Sequence, residues 1–185
     1  MAGAGPTTEG FSTLTGLAAV TEVVYLYPKR FNDQLRHGPL LSKPLAQVDH
    51  VSEGRLQVEL GTGWKQYEAE AFGYDWPSAP EWLGRLEATI EVSKPLWTGS
   101  DVEYDGDFYR LDGADGRPHP MQEPHPPIMC GGEEFTLRVT AKHADEWNYW
   151  AIWICYRANS TCSGITVKPT VPTSTPSRSC DSHGV

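Results

Sequence analysis

Three features of the sequence predict an α/β fold with parallel strands. Helical and strand-like segments alternate from Phe11 to Asn148, two short strand-like runs end in glycine turns, and the 185 residues suit one domain. A chain of this length buries about 70% of the surface its unfolded form exposes, which serves one core but not two full domains.

The elements follow in order. Met1 to Gly10 is small and polar and reads as a frayed lead-in. Phe11, Leu14, Leu17 and Ala18 form one apolar helical face that ends near Thr21. Val23 to Tyr27 is a β-branched and aromatic run stopped by Pro28, which reads as a strand, and Lys29 to Gly38 reads as polar loop. Leu41, Leu45 and Val48 mark a second amphipathic helix, with Pro39 in its first turn and Gly54 past its end. Pro44 removes a backbone donor there at a cost of about 3 kcal/mol, which points to a later start. Leu56 to Leu60 alternates apolar and polar residues and runs into Gly61-Thr62-Gly63-Trp64.

Lys65 to Ala79 reads as an irregular, aromatic-rich loop, and Pro80 to Ser93 as a helix with Leu83, Leu86 and Ile90 on one face, closed by Pro95. Between Val102 and Leu111, Asp105-Gly106 separates two aromatic-bearing runs and signals a hairpin outside the core. The Pro- and His-rich stretch from Arg117 to Pro127 is extended and delivers a buried strand, Ile128-Met129-Cys130, ending in Gly131-Gly132. Helical signals resume at Glu133 and run to about His143, and Asp145 to Asn148 leads toward another strand. Residues 150–185 turn aromatic and then Ser-, Thr- and Pro-rich without periodicity, and read as a disordered tail.

The charge balance, 24 acidic against 15 basic residues for a net −9, argues against nucleic acid, because binding to a phosphate backbone needs a basic stripe. No apolar run approaches the roughly 20 residues of a membrane span, so a soluble cytoplasmic protein without a membrane partner is expected. Cys130, Cys155, Cys162 and Cys180 show no C-x-x-C spacing, and His119 and His125 stand among prolines, so no metal is expected. No nucleophile-elbow spacing supports hydrolase chemistry.

Gly61-Thr62-Gly63 and Gly131-Gly132 each follow a strand, the second opening toward a helix. Free backbone N–H groups at such turns suit an anion, and glycine lets it approach closely; tight turns that bind nothing show the same pattern. Trp64 and the aromatics after it either stack on a flat ring or pack.

The order of motifs resembles the bacterial-luciferase-like monooxygenase family. The carriers are Leu40-Leu41-Ser42-Lys43, Val51 to Leu56, Gly61-Thr62-Gly63-Trp64, Phe72-Gly73-Tyr74, Leu96-Trp97-Thr98-Gly99, Tyr104-Asp105-Gly106, Pro124 to Ile128, Gly131-Gly132 and Ala144 to Asn148. The resemblance covers about Phe11 to Asn148. It implies a (β/α)₈ TIM barrel, here a partial one without its first and last strands, and a flavin- or deazaflavin-dependent oxidoreductase acting on a small organic substrate. The implied cofactor is FMN or the deazaflavin coenzyme F420, with NAD(P)H as a reductant. Carried over by position, Gly61, Gly63 and Trp64 lie near the cofactor at a strand's C-terminal end, and Gly131, Gly132 and Glu133 form the phosphate-binding turn. No catalytic acid or base is assigned.

The resemblance divides the chain into a lead-in (1–10), a partial barrel (11–149) and an unmatched tail (150–185). Because such a barrel needs about 250 residues, an incomplete member or a frame-shifted gene product is expected. The alternative is a non-catalytic fragment or subunit that keeps the central elements. In either case, homo-oligomerisation or another association would cover open sheet edges.

Overall fold

The computed structural model describes residues 8–63, 65–131 and 135–148. Its elements are α1 (Gly10–Val20), β1 (Phe31–Asn32) running into a 3₁₀ turn (Asp33–Leu35), α2 (Gly38–Val51), β2 (Val58–Gly61), α3 (Gln66–Ala71), α4 (Ala79–Thr98), β3 (Val102–Asp105), β4 (Arg110–Ala114), β5 (Ile128–Gly131), α5 (Leu137–His143) and β6 (Glu146–Asn148).

The main sheet has the order β1-β2-β5-β6, all parallel, while β3 and β4 form a separate antiparallel hairpin. Each strand of the main sheet therefore lies beside the next one in the chain, with no reversal of order. A doubly wound sheet reverses its strand order at a switch point; this one runs in a single direction, as the wall of a β/α barrel does.

Strand alternation gives the sheet two unlike faces. Phe31, Val58, Leu60, Ile128 and Cys130 point to the helices and join Leu41, Leu45, Leu86, Ile90, Trp97 and Val139 in one buried core. Phe11 of α1 stacks on Phe31 with ring centroids 4.0 Å apart. Arg30, Asn32, Glu59, Gly61, Met129, Gly131 and Asn148 alternate to the opposite, inner face.

Polar ties fix the connections. Asp49, fully buried at the end of α2, accepts hydrogen bonds from the backbone N–H groups of Met121 and Gln122 and from Gln122 Nε2. Gln122 also donates to the Leu56 carbonyl, so one carboxylate clamps the Pro- and His-rich strap beneath the sheet. Arg55 donates to the carbonyls of Ala18, Thr21, Val24 and Ser52, collecting the ends of α1 and α2. The Trp97 indole donates to the Ser42 carbonyl and locks α4 on α2.

Several sequence expectations need correction. Val23 to Tyr27 is not a strand: only Leu26 bridges to Leu56, because Arg55 takes the Val24 carbonyl and Val23 and Tyr25 face solvent. Pro44 does not delay α2, since its missing donor falls on the side of exposed Leu40 and Lys43, where water reaches the backbone. Pro95 does not end α4; burial of Leu96 and Trp97 carries the helix on to Thr98. The loop after Lys65 contains the short helix α3. Phe135 and Thr136, expected within the last helix, form a turn before α5 starts at Leu137, and Glu133 lies outside the described residues. The hairpin is present, with Gly106 N–H donating to the Tyr109 carbonyl in its turn. The expectations for 150–185, including Cys155, Cys162 and Cys180, lie outside the described residues.

Candidate functional site

The inner face is polar where the core face is apolar: Asn32 and Asn148 end their strands there, Glu59 lies within β2, and Arg30 just before β1. Glu59, in the otherwise apolar β2, is fully buried. Asn148 Nδ2 of β6 donates to Glu59 Oε1 at 3.1 Å, and Arg30 Nε lies 3.5 Å from the same oxygen. The other oxygen, Oε2, is buried without a hydrogen-bond partner. Three segments separated widely in sequence thus place a cation, an anion and an amide side by side.

Gly61 ends β2 and Gly131 ends its neighbour β5, so their pairing brings two of the expected site residues together. One side chain, Arg30, lies across both. A Cβ at Gly131 would sit 2.6 Å from Arg30 Cζ, 2.8 Å from its Nη1 and 2.8 Å from Glu59 Oε1, and a Cβ at Gly61 would collide with Arg30 Cδ. Gly63 has a φ of +79°, which favours glycine, and its open side is filled by the Asn32 amide. Trp64, Gly132 and Glu133, the remaining expected site residues, lie outside the described residues. Because α5 begins at Leu137, Gly131 does not open directly onto the described helix.

A second polar group lies on the helix side just beyond β1. Asp33 is buried, receives a hydrogen bond from Gln34 Nε2 at 3.1 Å, and leaves Oδ2 unpartnered. Burial pushes its carboxyl up to about 7, with the Gln34 bond and the Arg85 charge pulling only partly against it. Burial, reinforced by the charges of Asp33 and Glu59, pushes the Cys130 thiol up to about 12, so this cysteine is a core residue rather than a nucleophile.

His119 and His125 are occupied locally. His119 Nε2 donates to the Gly99 carbonyl at 3.0 Å, and the His125 ring tilts against Trp97. Away from the inner face, Glu87, Glu91 and His143 offer ligand atoms within 4.8 Å of one another, but Lys142 Nζ already pairs with both carboxylates, at 2.7 and 3.4 Å.

Sequence reasoning missed Arg30, Asn32, Glu59 and Asn148. The available signal was Glu59 itself, a charge between Val58 and Leu60 just ahead of a glycine turn. Alternation made it look solvated, as it would be on a one-sided sheet.

Residues 2–156 match a family described as luciferase-like monooxygenase. The chain belongs to the luciferase-like monooxygenase family. It is 34% identical over 110 residues to an FMNH2-dependent dimethylsulfone monooxygenase of Pseudomonas putida, covering 60% of this chain and 30% of that protein. It is 30% identical over 141 residues to the pyrimidine monooxygenase RutA of Pantoea ananatis, covering 74% of this chain and 38% of the relative. This luciferase-like chain therefore spans 30–38% of the length of the curated relatives it matches.

The coenzyme F420-dependent tetrahydromethanopterin reductase of Methanopyrus kandleri shares the fold, with a TM-score of 0.69 at 22% identity over 77% of this chain and 44% of that one. The parallel sheet is thus part of a luciferase-like (β/α)₈ barrel, and its inner face is the barrel interior. Active sites of such barrels lie at the C-terminal ends of the strands, the level of Gly61 and Gly131, to which the Arg30 side chain reaches. Among the described residues, no helix is long and apolar enough to cross a membrane.

Proposed function

We propose that this chain carries the central barrel elements of a flavin-dependent oxidoreductase that acts on a small organic substrate, with reduced FMN as the preferred cofactor and F420 as the alternative. The observation that carries the reading is the glycine-floored inner face. Gly61 and Gly131 carry no side chains of their own and let the Arg30 side chain lie across the strand ends, where Arg30, Asn32 and Asn148 supply donors. That combination fits an acceptor-rich cofactor laid along the strand ends. The FMNH2 dependence of the Pseudomonas relative favours FMN.

The bound cofactor supplies electrons, to oxygen or as hydride, and the protein supplies position and dryness. By the family resemblance, Gly61, Gly63 and Trp64 would border the ring, and the backbone N–H groups of Gly131, Gly132 and Glu133 would hold the phosphate. Glu59 steadies Arg30, and the apolar layer behind β2 and β5 keeps water from the back of the site. The barrel part spans 11–149, between a lead-in (1–10) and a tail (150–185), and the protein works in the cytoplasm with NAD(P)H as reductant.

The length match favours a second reading, in which the chain is a non-catalytic fragment or subunit whose open sheet edges are covered by association with itself or another chain. Titration of the purified chain with FMN and F420, in both redox states, separates the two. Quenched or shifted cofactor spectra at micromolar concentration, with NAD(P)H- or oxygen-linked turnover, support the enzyme. Absence of binding to either cofactor at high micromolar concentration overturns it.

A further inference from the structure

The side chain of Arg30 occupies the floor of the candidate site in a way that the glycine turns alone do not explain. It lies over Gly61 and Gly131 together, and both positions would drive a Cβ into it. Its side chain remains 27% exposed, whereas Glu59, which holds its Nε edge at 3.5 Å, has none of its side chain exposed. Glu59 is itself held by Asn148. Neither Nη1 nor Nη2 of Arg30 donates a hydrogen bond to any described residue. The molecule thus builds a shelf from two glycines, lays a guanidinium on it, and anchors one edge. Among the described residues the other edge has no acceptor.

We propose that Arg30 is a cofactor-tuning residue. Its free guanidinium edge holds the N1–C2=O region of the flavin ring, the place where negative charge accumulates on reduction, and so makes the site prefer the reduced cofactor. This rests on the flavin-dependent reading above. A planar fork of N–H donors matches a delocalised oxyanion, and charge-assisted bonds are about twice as strong as neutral ones. Arg30 is the exposed member of the pair and Glu59 the wholly buried one, so a ligand on the inner face meets the cation first and the attraction outweighs the repulsion. By linkage, a site that binds the reduced form more tightly raises the reduction potential of the bound cofactor. Glu59 is then a positioning residue that also moderates the field of Arg30.

The test is anaerobic titration of the full 185-residue chain with oxidised FMN, reduced FMN and reduced riboflavin, in the wild type and in Arg30→Gln, Arg30→Lys and Glu59→Gln. The wild type is expected to bind reduced FMN about tenfold more tightly than oxidised FMN, an upward potential shift of about 30 mV for a two-electron couple. Arg30→Gln should bring the ratio close to one and weaken reduced riboflavin as much as reduced FMN. Arg30→Lys should retain part of the ratio. Glu59→Gln, which removes the opposing charge, should raise it, a change that a merely structural role for either residue does not produce.

A ratio that survives Arg30→Gln, or a wild-type ratio near one, overturns the inference while leaving the flavin reading intact. Equal losses in both redox states, absent for riboflavin, assign Arg30 to the phosphate and also overturn it. Where Arg30→Gln fails to fold, Glu59→Gln decides: a raised ratio supports the inference and an unchanged one defeats it. A wild-type chain that binds no flavin in either redox state ends both readings.

Discussion

A methyl group at Gly131 meets two side-chain ends, the Arg30 guanidinium and the buried Glu59 carboxylate, whereas a methyl group at Gly116 meets the carbonyl of Leu96, which belongs to the backbone of α4. The two substitutions to Ala should therefore behave differently. Gly131→Ala is expected to lower the melting temperature less than Gly116→Ala, and to lower the preference for reduced flavin nearly as far as Arg30→Gln, because Arg30 is displaced from its shelf and from Glu59. Gly116→Ala should cost about 3 kcal/mol or more, since a backbone must move. Denaturant titration alongside flavin binding separates them.

Asp33 gives a second prediction at this scale. Its carboxyl is raised by burial to about 7. As pH rises above the unfolded value near 4, the unfolded state ionises first, so this residue's contribution to stability falls between about pH 4 and pH 7 and levels off above. Stability at pH 8 relative to pH 5 should improve in Asp33→Asn compared with wild type, by up to about 3 kcal/mol. Urea titrations at the two pH values measure it, and parallel pH dependences would refute the assignment. Gly61 and Gly131 were legible as strand-ending glycines because a glycine that ends an apolar run marks a tight turn or a close approach to backbone. Arg30, Glu59 and Asp33 were not, because the sequence does not say that both faces of the sheet are covered.

The elements were legible where periodicity alone decides them, as in α2, β2 and β5. They were misread where a distant side chain overrules a local signal. Pro95 stops a helix in isolation, but Trp97 buries its ring and donates to Ser42 55 residues away, and the last turn of α4 forms regardless. Val23 to Tyr27 has strand composition, yet Arg55 draws the chain into a helix–helix tie. The strap from Arg117 to Pro127 has no element of its own and depends on Asp49 for its position. Asp49→Ala should cost about 3–5 kcal/mol, because it strips three donors, two of them backbone N–H groups, of a buried anionic partner. A midpoint shift in guanidinium unfolding with an unchanged slope is the expected result, with faster proteolysis inside the strap. Asp49→Asn keeps one acceptor oxygen and should lose less.

At the scale of the whole molecule, the sequential strand order places β5 in the interior of the sheet, paired with β2 on one side and β6 on the other. Cys130 lies at its centre, fully buried on the helix side, one residue from the glycine that floors the candidate site. Opening that position means parting the sheet from α4 and α5, so reaction of its thiol reports the integrity of the barrel wall rather than of one loop. In a variant with Cys155, Cys162 and Cys180 replaced by Ser, Cys130 should be labelled by a thiol reagent only as fast as the wall opens, with a rate that rises steeply near the denaturation midpoint. A ligand that binds only the closed wall stabilises it by mass action. Reduced FMN at ten times its dissociation constant should then slow labelling about elevenfold, and oxidised FMN at the same concentration should slow it less. Fast labelling that ignores both ligands would mean that the sheet opens without disturbing the inner face. In that case the two faces of the wall, which the alternation of β2 and β5 joins residue by residue, are not energetically coupled.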